Sequence, residues 1–576
     1  MWVPMAHDEI ATFYYYVQTA RFIPFFSHED MNNHVINSAL TTMFTHIFGV
    51  SPLVLRLANL LFFPLFCIFI WKLATRFSMK LVRWWFIILL FLVQGFIEFF
   101  SLSRGYGMSM AMLVAMLFYL SRVTTSFSYP RLYFTFLWCF LSTLANLSLI
   151  YTFLLVIGWL FLLLFKQMKN YPFRTIIQNI LLFSILSLLA VFLFMAISYK
   201  GTRMGPLFTG ISAGFLPITL TSLMTIFLPV KIIFFRELLV FLFLLLAGFN
   251  LFLIMRRKTI FLQPVLSFYL LAGNLFAYWL ANKLFQVNYP ENRLAIYWLP
   301  LFVFALGQAI DDRLMFTGKK VWLVFLAPLL IFPALFPACI NFSHAESYVD
   351  DPVPQSFYDR VKAAHLKGDY PPTVGGHRLR HFCWSFLDFM NGGTESNVNW
   401  EGYPNNIADF QIIDGKEINL FQRNYSVVGY YPHNDRYLLQ RVKPVKKEIL
   451  VSLPGSAPEI QTQGEYILLF QASVDTLSGS ALYLGFEGDF LSSSIPFEAW
   501  IVAVVKDADQ TALEYINMAL NWQRPYWNES GSYLKNGFII PALPHESKTL
   551  ILYLWNMKSV PCSIKNFQCT LFRYLP

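Results

Sequence analysis

Long apolar runs separated by short polar loops fill residues 52–341. A helix needs about 20 mainly apolar residues to cross the hydrocarbon core of a bilayer. Ten runs approach that length, near residues 52–74, 84–100, 106–122, 132–147, 149–166, 175–198, 236–255, 262–284, 294–311 and 321–341. The run at 132–147 is the shortest of them. The pattern predicts a polytopic α-helical membrane domain of about ten spans over residues 52–341.

Two stretches of this half do not have the pattern of a span. Residues 1–51 combine a short aromatic-rich helix at 10–20 with polar loops, and we expect a first non-cytoplasmic loop with interfacial helices. Residues 204–235 are apolar, but six glycines and prolines interrupt them, and counting them as a span would invert the basic loop at 256–258. We expect them to lie in the interface or to re-enter the membrane from outside.

The pattern changes after Asn341. Residues 342–446 mix helix and strand signals, with a helix predicted at 355–366 and a strand at 408–413. From residue 447 onward, apolar and polar positions alternate as in half-buried strands. Seven strands are predicted, at 448–453, 465–472, 481–487, 499–505, 537–540, 549–555 and 569–574. We therefore expect a small α/β region at 342–446 and a β-sandwich or jelly roll at 447–576.

Charge gives the predicted orientation. Only 13% of the residues are charged, against about 25% in soluble domains. Residues 1–341 hold 24 Lys and Arg against nine acids, and 15 of the 24 lie in one set of alternate loops, which marks the cytoplasmic side. The opposite side then holds residues 1–51, the turn at 101–105, residues 199–235 and 285–293, and everything after 341. The basic excess is thus explained by membrane orientation, and no basic stripe with interleaved aromatics predicts nucleic-acid binding.

Cysteine usage excludes two kinds of site. The six cysteines are scattered and form no C-x-x-C pair, so a zinc or thioredoxin-type motif is absent. Cys562 and Cys569 either bridge neighbouring strands or remain two free thiols, and the sequence leaves both open.

Seven of the nine acids in the membrane half fall on the predicted non-cytoplasmic side. Acids at or inside a bilayer usually face a cavity or a partner, so this clustering predicts a site on that face. These acids are Asp8, Glu9, Glu29, Asp30, Glu98, Glu237 and Glu291. Asp8 precedes an aromatic helix, where a carboxylate can take a proton from a hydroxyl or hold a metal near a phosphate. The alternative is structural: Asp8 caps the helix and Glu9 complements its dipole.

Polar and basic clusters accompany the acids on the same side. The loop at 28–34 includes Asn33 and His34, which suit sugar hydroxyls or phosphate oxygens; a solvated loop is the alternative. Arg104 has a guanidinium suited to phosphate and neighbouring glycines that allow close approach; an arginine extending to the lipid headgroups is the alternative. The other basic groups on this side include Lys200, Arg203 and Arg293.

These segments resemble a known superfamily. MAHDEIATF at 5–13, MNNHVI at 31–36 and GVSPLVLRL at 49–57 resemble the first outer loop of GT-C fold glycosyltransferases, in particular protein O-mannosyltransferases and lipid A aminoarabinose transferases. SRGY at 103–106 resembles their Arg-x-Tyr segment, and NRLAIYWLP at 292–300 their late Arg-then-Pro span. The resemblance covers roughly residues 5–340. The families carry a transmembrane helix just before the Asp-Glu pair, and many carry Lys-Pro-Pro where this chain has residues 32–34.

The resemblance implies an inverting transferase that uses a polyprenyl- or dolichyl-phosphate sugar. Asp8 would be the catalytic carboxylate, with Glu9 beside it, and Arg104 would meet the donor phosphate. The further residues expected to bind the donor phosphate or sugar are Tyr106, Asn33, His34, Arg203 and Arg293. The need for a divalent metal ion is left open. The residues offered as its ligands are His7, Glu29 and His34.

Together these features predict a glycosyltransferase in the inner membrane of a bacterium, with its C-terminal domain in the periplasm or outside. It would move a hexosyl or pentosyl group from a polyprenyl-phosphate donor to an extracytoplasmic glycan, lipid or protein acceptor, with inversion. One alternative is a non-catalytic envelope protein that binds glycan or carrier lipid. A second is a transporter or flippase, which the lack of an internal repeat and the few mid-span acids disfavour.

Overall fold

The fold is that of a computed structural model, which describes residues 3–28, 33–202, 214–228, 234–366, 370–376, 380–398, 404–453 and 459–575. The chain forms two compact units. We call Tyr15–Ser347 the membrane unit and Met1–Tyr14 with Tyr348–Pro576 the soluble unit.

The helices are numbered in chain order. They are α1 His7–Thr12, α2 Val35–Phe48, α3 Pro52–Leu60, α4 Phe62–Ala74, α5 Lys80–Phe91, α6 Gln94–Ile97, α7 Tyr106–Thr125, α8 Tyr129–Ala145, α9 Ile150–Lys166, α10 Phe173–Thr202, α11 Thr221–Phe227, α12 Phe235–Arg257, α13 Gln263–Phe285, α14 Trp298–Thr317, α15 Ile331–Cys339, α16 Gln355–His365, α17 Arg380–Met390, α18 Ile418–Phe421 and α19 Leu520–Gln523. Short 3-10 or π segments include Phe13–Val17, Leu216–Leu220, Asn292–Ala295 and Lys320–Leu330.

Eight helices in the described ranges are long and apolar enough to cross a membrane, so the chain is an integral membrane protein. They are Pro52–Ala74, Tyr106–Thr125, Leu147–Lys169, Phe173–Lys200, Phe235–Arg257, Gln263–Phe285, Asn292–Thr317 and Lys320–Cys339. A ninth arises if Lys80–Phe91 and Gln94–Phe100, bent by 65°, form one span. The run predicted at 132–147 corresponds to α8, whose 17 residues stand at the lower limit of about 17 for a span.

Side-chain size separates the central helices from the peripheral ones. In the most apolar 18-residue stretch of each helix, 89% is buried within the protein in α7 but only 22% in α12. Helix α7 contains glycine, alanine and serine, which allow close helix packing, and α12 is dominated by leucine and phenylalanine, which suit lipid. In the apolar 204–235 stretch, the described residues 214–228 contain a helical segment, Leu216–Phe227, that is too short to cross a bilayer.

The strands are β1 Val374–Gly376, β2 Phe410–Asp414, β3 Tyr425–Tyr431, β4 Arg436–Arg441, β5 Lys447–Leu453, β6 Ile460–Thr462, β7 Tyr466–Ser473, β8 Leu482–Ser492, β9 Ala499–Lys506, β10 Ala512–Ala519, β11 Tyr533–Ile540, β12 Thr549–Asn556 and β13 Cys562–Tyr574. A four-stranded sheet of order β1-β2-β4-β3 is followed by a sandwich of β10-β9-β12-β7 and β11-β8-β13-β5, with β6 on β13. Residues from both sheets of the sandwich form one apolar core. The predicted fold class is confirmed: long apolar helices precede a region rich in antiparallel sheet.

The cysteine alternatives are resolved by the strand that carries them. Cys562 and Cys569 both lie on β13, seven residues apart in one extended strand, and all six cysteines are free thiols. An extended strand rises about 3.3 Å per residue, which holds these two sulfur atoms far beyond disulfide reach. A bridge between them is therefore wrong, and the two-thiol alternative is correct.

Candidate functional site

Helix α1 carries the predicted catalytic pair. Ala6 is its N-cap, and the Glu9 carboxylate, at the third helical position, accepts a hydrogen bond from the Ala6 backbone amide at 3.0 Å. The expectation that Asp8 caps this helix is wrong, because Asp8 is already the second helical residue. Glu9 is almost fully buried and satisfies the first turn, so its position is explained by helix capping.

Asp8 is held by a residue far along the chain. The Tyr348 hydroxyl donates to Asp8 Oδ2 at 3.1 Å, and both side chains are buried. Three residues later, Asp351 Oδ2 accepts from the His7 backbone amide at 3.0 Å. Residues 348–351 therefore fix both the start of α1 and the orientation of the Asp8 carboxylate. Neither Tyr348 nor Asp351 was predicted, since no local pattern relates them to residue 8.

Aromatic side chains form the support for α1. His7 meets Phe382 edge-on at 4.6 Å between ring centroids, and Tyr14 stacks on Trp522 at 4.8 Å. His381, on the same helix as Phe382, donates through Nδ1 to the Val398 carbonyl. Burial lowers the pKa of His381 to about 4, so this imidazole is neutral at physiological pH. Aromatic side chains of the soluble unit therefore pack against α1, the helix that carries Asp8.

The second group of predicted residues lies in the membrane unit, at the start of α7. The Arg104 guanidinium carbon lies 5.8 Å from the Tyr106 ring centroid, and the His34 ring is 4.6 Å from the same ring. His34 Nδ1 donates to the Ala145 carbonyl at 2.8 Å. Arg104 is wholly buried, so the alternative of a side chain extending to the headgroups is wrong. The structure therefore brings His34, Arg104 and Tyr106 together.

Close packing explains the glycine and the turn around Arg104. A Cβ on Gly105 would overlap the Ala145 carbonyl oxygen and come within 2.9 Å of His34. The Asn59 amide donates to the Phe99 and Leu102 carbonyls and accepts from the Met108 backbone amide at 2.7 Å. These hydrogen bonds hold the turn against α3.

Arg56 on α3 was not among the predicted site residues. It is wholly buried, one turn before Asn59. A buried charge in a membrane domain is expensive and usually marks a functional region. The signal was present in the sequence, as an arginine inside the apolar run 52–74.

Other predicted groups have local partners or lie outside the described residues. The Asn33 amide donates to the Phe22 carbonyl at 2.8 Å and accepts from the Ser38 hydroxyl at 3.0 Å. These two hydrogen bonds give Asn33 a structural role in its loop. Lys200 Nζ donates to the Pro24 carbonyl at 2.8 Å. Arg203 and Glu29 lie outside the described residues.

The metal hypothesis finds no ligand set in the parts of the chain that the structure describes. No group of three His, Cys, Asp or Glu side chains there could hold a metal ion. His7 belongs to the soluble unit and His34 to the membrane unit.

An apolar cavity of about 590 Å³ lies within the membrane unit. Helices α11, α12, α13 and α14 contribute most of its wall, and its lining includes Leu223, Phe243, Leu271, Tyr289 and Trp298. Asn292–Ala295, the turn that carries Arg293, separates Tyr289 from Trp298. The Asn292 backbone amide donates to the Ser222 hydroxyl on α11 at 2.9 Å. The turn that carries Arg293 therefore connects two residues of the cavity wall along the chain.

Comparisons with known proteins give no family. No family model matches the chain, and no curated protein matches it. Among solved structures, arabinosyltransferase EmbB from Mycobacterium smegmatis aligns over 99% of this chain and 62% of its own, with 12% identity and a TM-score of 0.33. The VP2 subviral particle of infectious bursal disease virus and the Gx strain of that virus align over 26% of this chain and 38% and 37% of theirs, with 14% and 13% identity and TM-scores of 0.20. The chain spans less than two thirds of each of these structures, and scores this low assign neither fold nor function.

Proposed function

We propose that this chain is a membrane glycosyltransferase. It moves a sugar from a polyprenyl-phosphate donor to an extracytoplasmic acceptor, with inversion at the anomeric carbon. We place it in the inner membrane of a bacterium, with the soluble unit on the periplasmic side. The first experiment below distinguishes this proposal from a glycan-binding protein.

The observation that carries the proposal is the apolar cavity, together with an arginine-bearing turn that connects two of its lining residues along the chain. A polyprenyl phosphate combines a long hydrocarbon chain with one anionic group; the cavity has an apolar wall, and Arg293 lies in the chain between its lining residues Tyr289 and Trp298. Arginine binds phosphate oxygens through its planar, always charged fork. The cavity holds part of the prenyl chain and leaves the phosphate at the turn that carries Arg293.

Asp8 supplies the base. Its carboxylate, oriented by the Tyr348 hydroxyl, takes the proton of the acceptor hydroxyl as that oxygen bonds to the anomeric carbon. The bond between the anomeric carbon and the phosphate oxygen breaks on the opposite side, and the phosphate leaves with the electron pair. Arginine side chains stabilise the charge that develops on the phosphate, with Arg104 as the second candidate after Arg293.

The test of function compares cells that lack the protein with cells that carry wild type, Asp8→Asn or Glu237→Gln. Glu237 is the matched control, because it is an exposed acid paired with Arg236. Mass spectrometry of lipid-linked sugars is expected to show one polyprenyl-phosphate sugar that accumulates without the protein and with Asp8→Asn. Wild type and Glu237→Gln are expected to remove it. Normal levels with Asp8→Asn would contradict catalysis and favour the binding-protein alternative.

The cavity is tested separately by filling it. Ala272 on α13 lines the cavity, whereas Ala277 on the same helix does not. Native mass spectrometry of the purified protein is expected to show co-purifying polyprenyl phosphate in wild type and Ala277→Phe, and its loss in Ala272→Phe. Retention of the lipid in Ala272→Phe would place the carrier elsewhere.

A further inference from the structure

The outer face of one sandwich sheet presents aromatic side chains. In the sheet β10-β9-β12-β7, residues such as Ile501 and Leu554 point into the core, so their neighbours along each strand point outward. The strand register places Tyr466, Trp555 and Trp500 side by side on β7, β12 and β9. Adjacent strands lie about 4.8 Å apart, so these residues form a row across three strands.

A second row extends this surface. Tyr553 is flanked by Leu468 on β7 and by Val502 on β9. Tyr466 and Leu468 on β7 are 62% and 57% exposed, whereas the outward-pointing Val502 on β9 is fully buried. We define the aromatic face as Tyr466, Leu468, Trp500, Tyr515, Tyr553 and Trp555. An exposed apolar patch of this kind marks an interaction surface.

The charges beside the aromatic face select among partners. Glu465 accepts from the Trp555 indole N–H at 3.2 Å. Lys506 lies at the far end of β9, about 20 Å along the strand from Trp500. Anionic lipid surfaces attract basic patches, and the Glu465 carboxylate opposes such docking. Ring faces pack against the C–H faces of sugars, and carboxylates accept from sugar hydroxyls.

Ring-to-ring contacts connect the aromatic face to the aromatic side chains that pack against α1. The Trp500 ring meets Trp522 at 5.1 Å between centroids, and Trp522 meets Phe382 at 5.2 Å. Phe382 in turn contacts His7, the residue before Asp8, at 4.6 Å. All of these residues belong to the soluble unit, so a ligand on the aromatic face is held in a fixed relation to the Asp8 carboxylate.

We propose that the aromatic face binds a neutral oligosaccharide or polysaccharide, and that this glycan is the acceptor of the transferred sugar. The binding half of the proposal stands on the aromatic face alone. The acceptor half rests on the proposed function, because it requires that Asp8 acts on a hydroxyl of the same glycan.

The test measures binding by the full-length protein in detergent, with tryptophan fluorescence as the readout. The probes are neutral hexasaccharides of glucose, mannose, galactose, xylose and arabinose. At least one is expected to bind saturably, and Tyr466→Ala and Trp555→Ala are each expected to weaken it by about tenfold or more. Tyr533→Ala is the matched control, because Tyr533 is 50% exposed on the other sheet of the sandwich. Tyr466 is exposed enough that its loss leaves the fold intact.

Each outcome decides one half of the proposal. Absence of binding to all five sugars, or equal binding by wild type and Tyr466→Ala, overturns the glycan site. Binding to anionic vesicles that Tyr466→Ala abolishes also overturns it, in favour of membrane docking. Asp8→Asn is expected to bind the hexasaccharide as wild type does. If transfer proves independent of Asp8 while this binding persists, the glycan site stands and the acceptor role falls.

Discussion

The buried carboxyl of Asp388, near the end of α17, gives a prediction with a calculable size. Its Oδ1 accepts from the Tyr358 hydroxyl at 2.9 Å and from the backbone amides of Thr394 and Glu395, each at 3.0 Å. Among the described residues, Oδ2 has no hydrogen-bond partner. Burial raises the pKa of Asp388 to about 7, and the neighbouring Glu395 carboxylate acts in the same direction.

The perturbation is Asp388→Asn, which keeps the acceptor oxygen and removes the titration. An acid whose pKa is higher in the native state than in the unfolded state destabilises the fold as the pH rises between the two values. The pKa of Asp388 is about 7 in the native state and 3.8 in the unfolded state, so the free energy of unfolding falls by about 4 kcal/mol in all as the pH rises. About 3 kcal/mol of this decrease falls between pH 5 and pH 8. The free energy of unfolding of the wild type is therefore expected to fall by about 3 kcal/mol more than that of Asp388→Asn over that range.

The assay is hydrogen exchange of peptides from α17 in the full-length protein, measured from pH 5 to pH 8 and corrected for intrinsic exchange rates. Asp359→Asn is the control, because Asp359 is an exposed acid on α16 and its removal is expected to leave the pH dependence unchanged. Parallel opening free energies for wild type and Asp388→Asn across this range would refute the raised pKa of Asp388.

Two further predictions concern the regions around Arg104 and Asp8. Gly105→Ala is expected to lower the melting temperature by several degrees, because its Cβ would overlap the Ala145 carbonyl oxygen; Gly248→Ala, whose Cβ meets no atom within 4 Å, is expected to raise stability by up to about 1 kcal/mol. Scanning fluorimetry compares the two, and equal shifts would contradict the packing of this turn. Tyr348→Phe is expected to lower the kcat of transfer by about tenfold with the donor KM unchanged, because it releases the Asp8 carboxylate; steady-state kinetics in which only KM changes would refute this positioning role.

Much of the fold could be predicted from the sequence, because spans and sandwich strands carry strong periodic patterns. All seven predicted sandwich strands exist, with shifted ends. Strand β10 was missed, because alanine, leucine, glutamate and methionine in residues 512–519 favour helix. Its residues Ile516 and Met518 enter the core between the sheets, and that burial outweighs the local preference.

The candidate site was predictable only as far as the topology places residues on the same side of the membrane. The grouping of His34 with Arg104 and Tyr106 was expected from their shared side of the membrane. The contact between Asp8 and Tyr348 joins residues 340 positions apart, and no pattern at either end indicates it. The capping role of Glu9 follows from a helix that starts one residue before Asp8, with Ala6 as its N-cap, a detail that sequence reasoning resolves poorly.

The central claim is sugar transfer that depends on Asp8. The most direct measurement incubates the purified protein with the lipid-linked sugar that accumulates in cells without it, and follows the release of free polyprenyl phosphate. With acceptor present, wild type is expected to release one polyprenyl phosphate for each sugar transferred, and Asp8→Asn to release at least about a hundredfold less, as expected for loss of a general base. Equal release by both proteins, or release without transfer to any acceptor, would contradict the account.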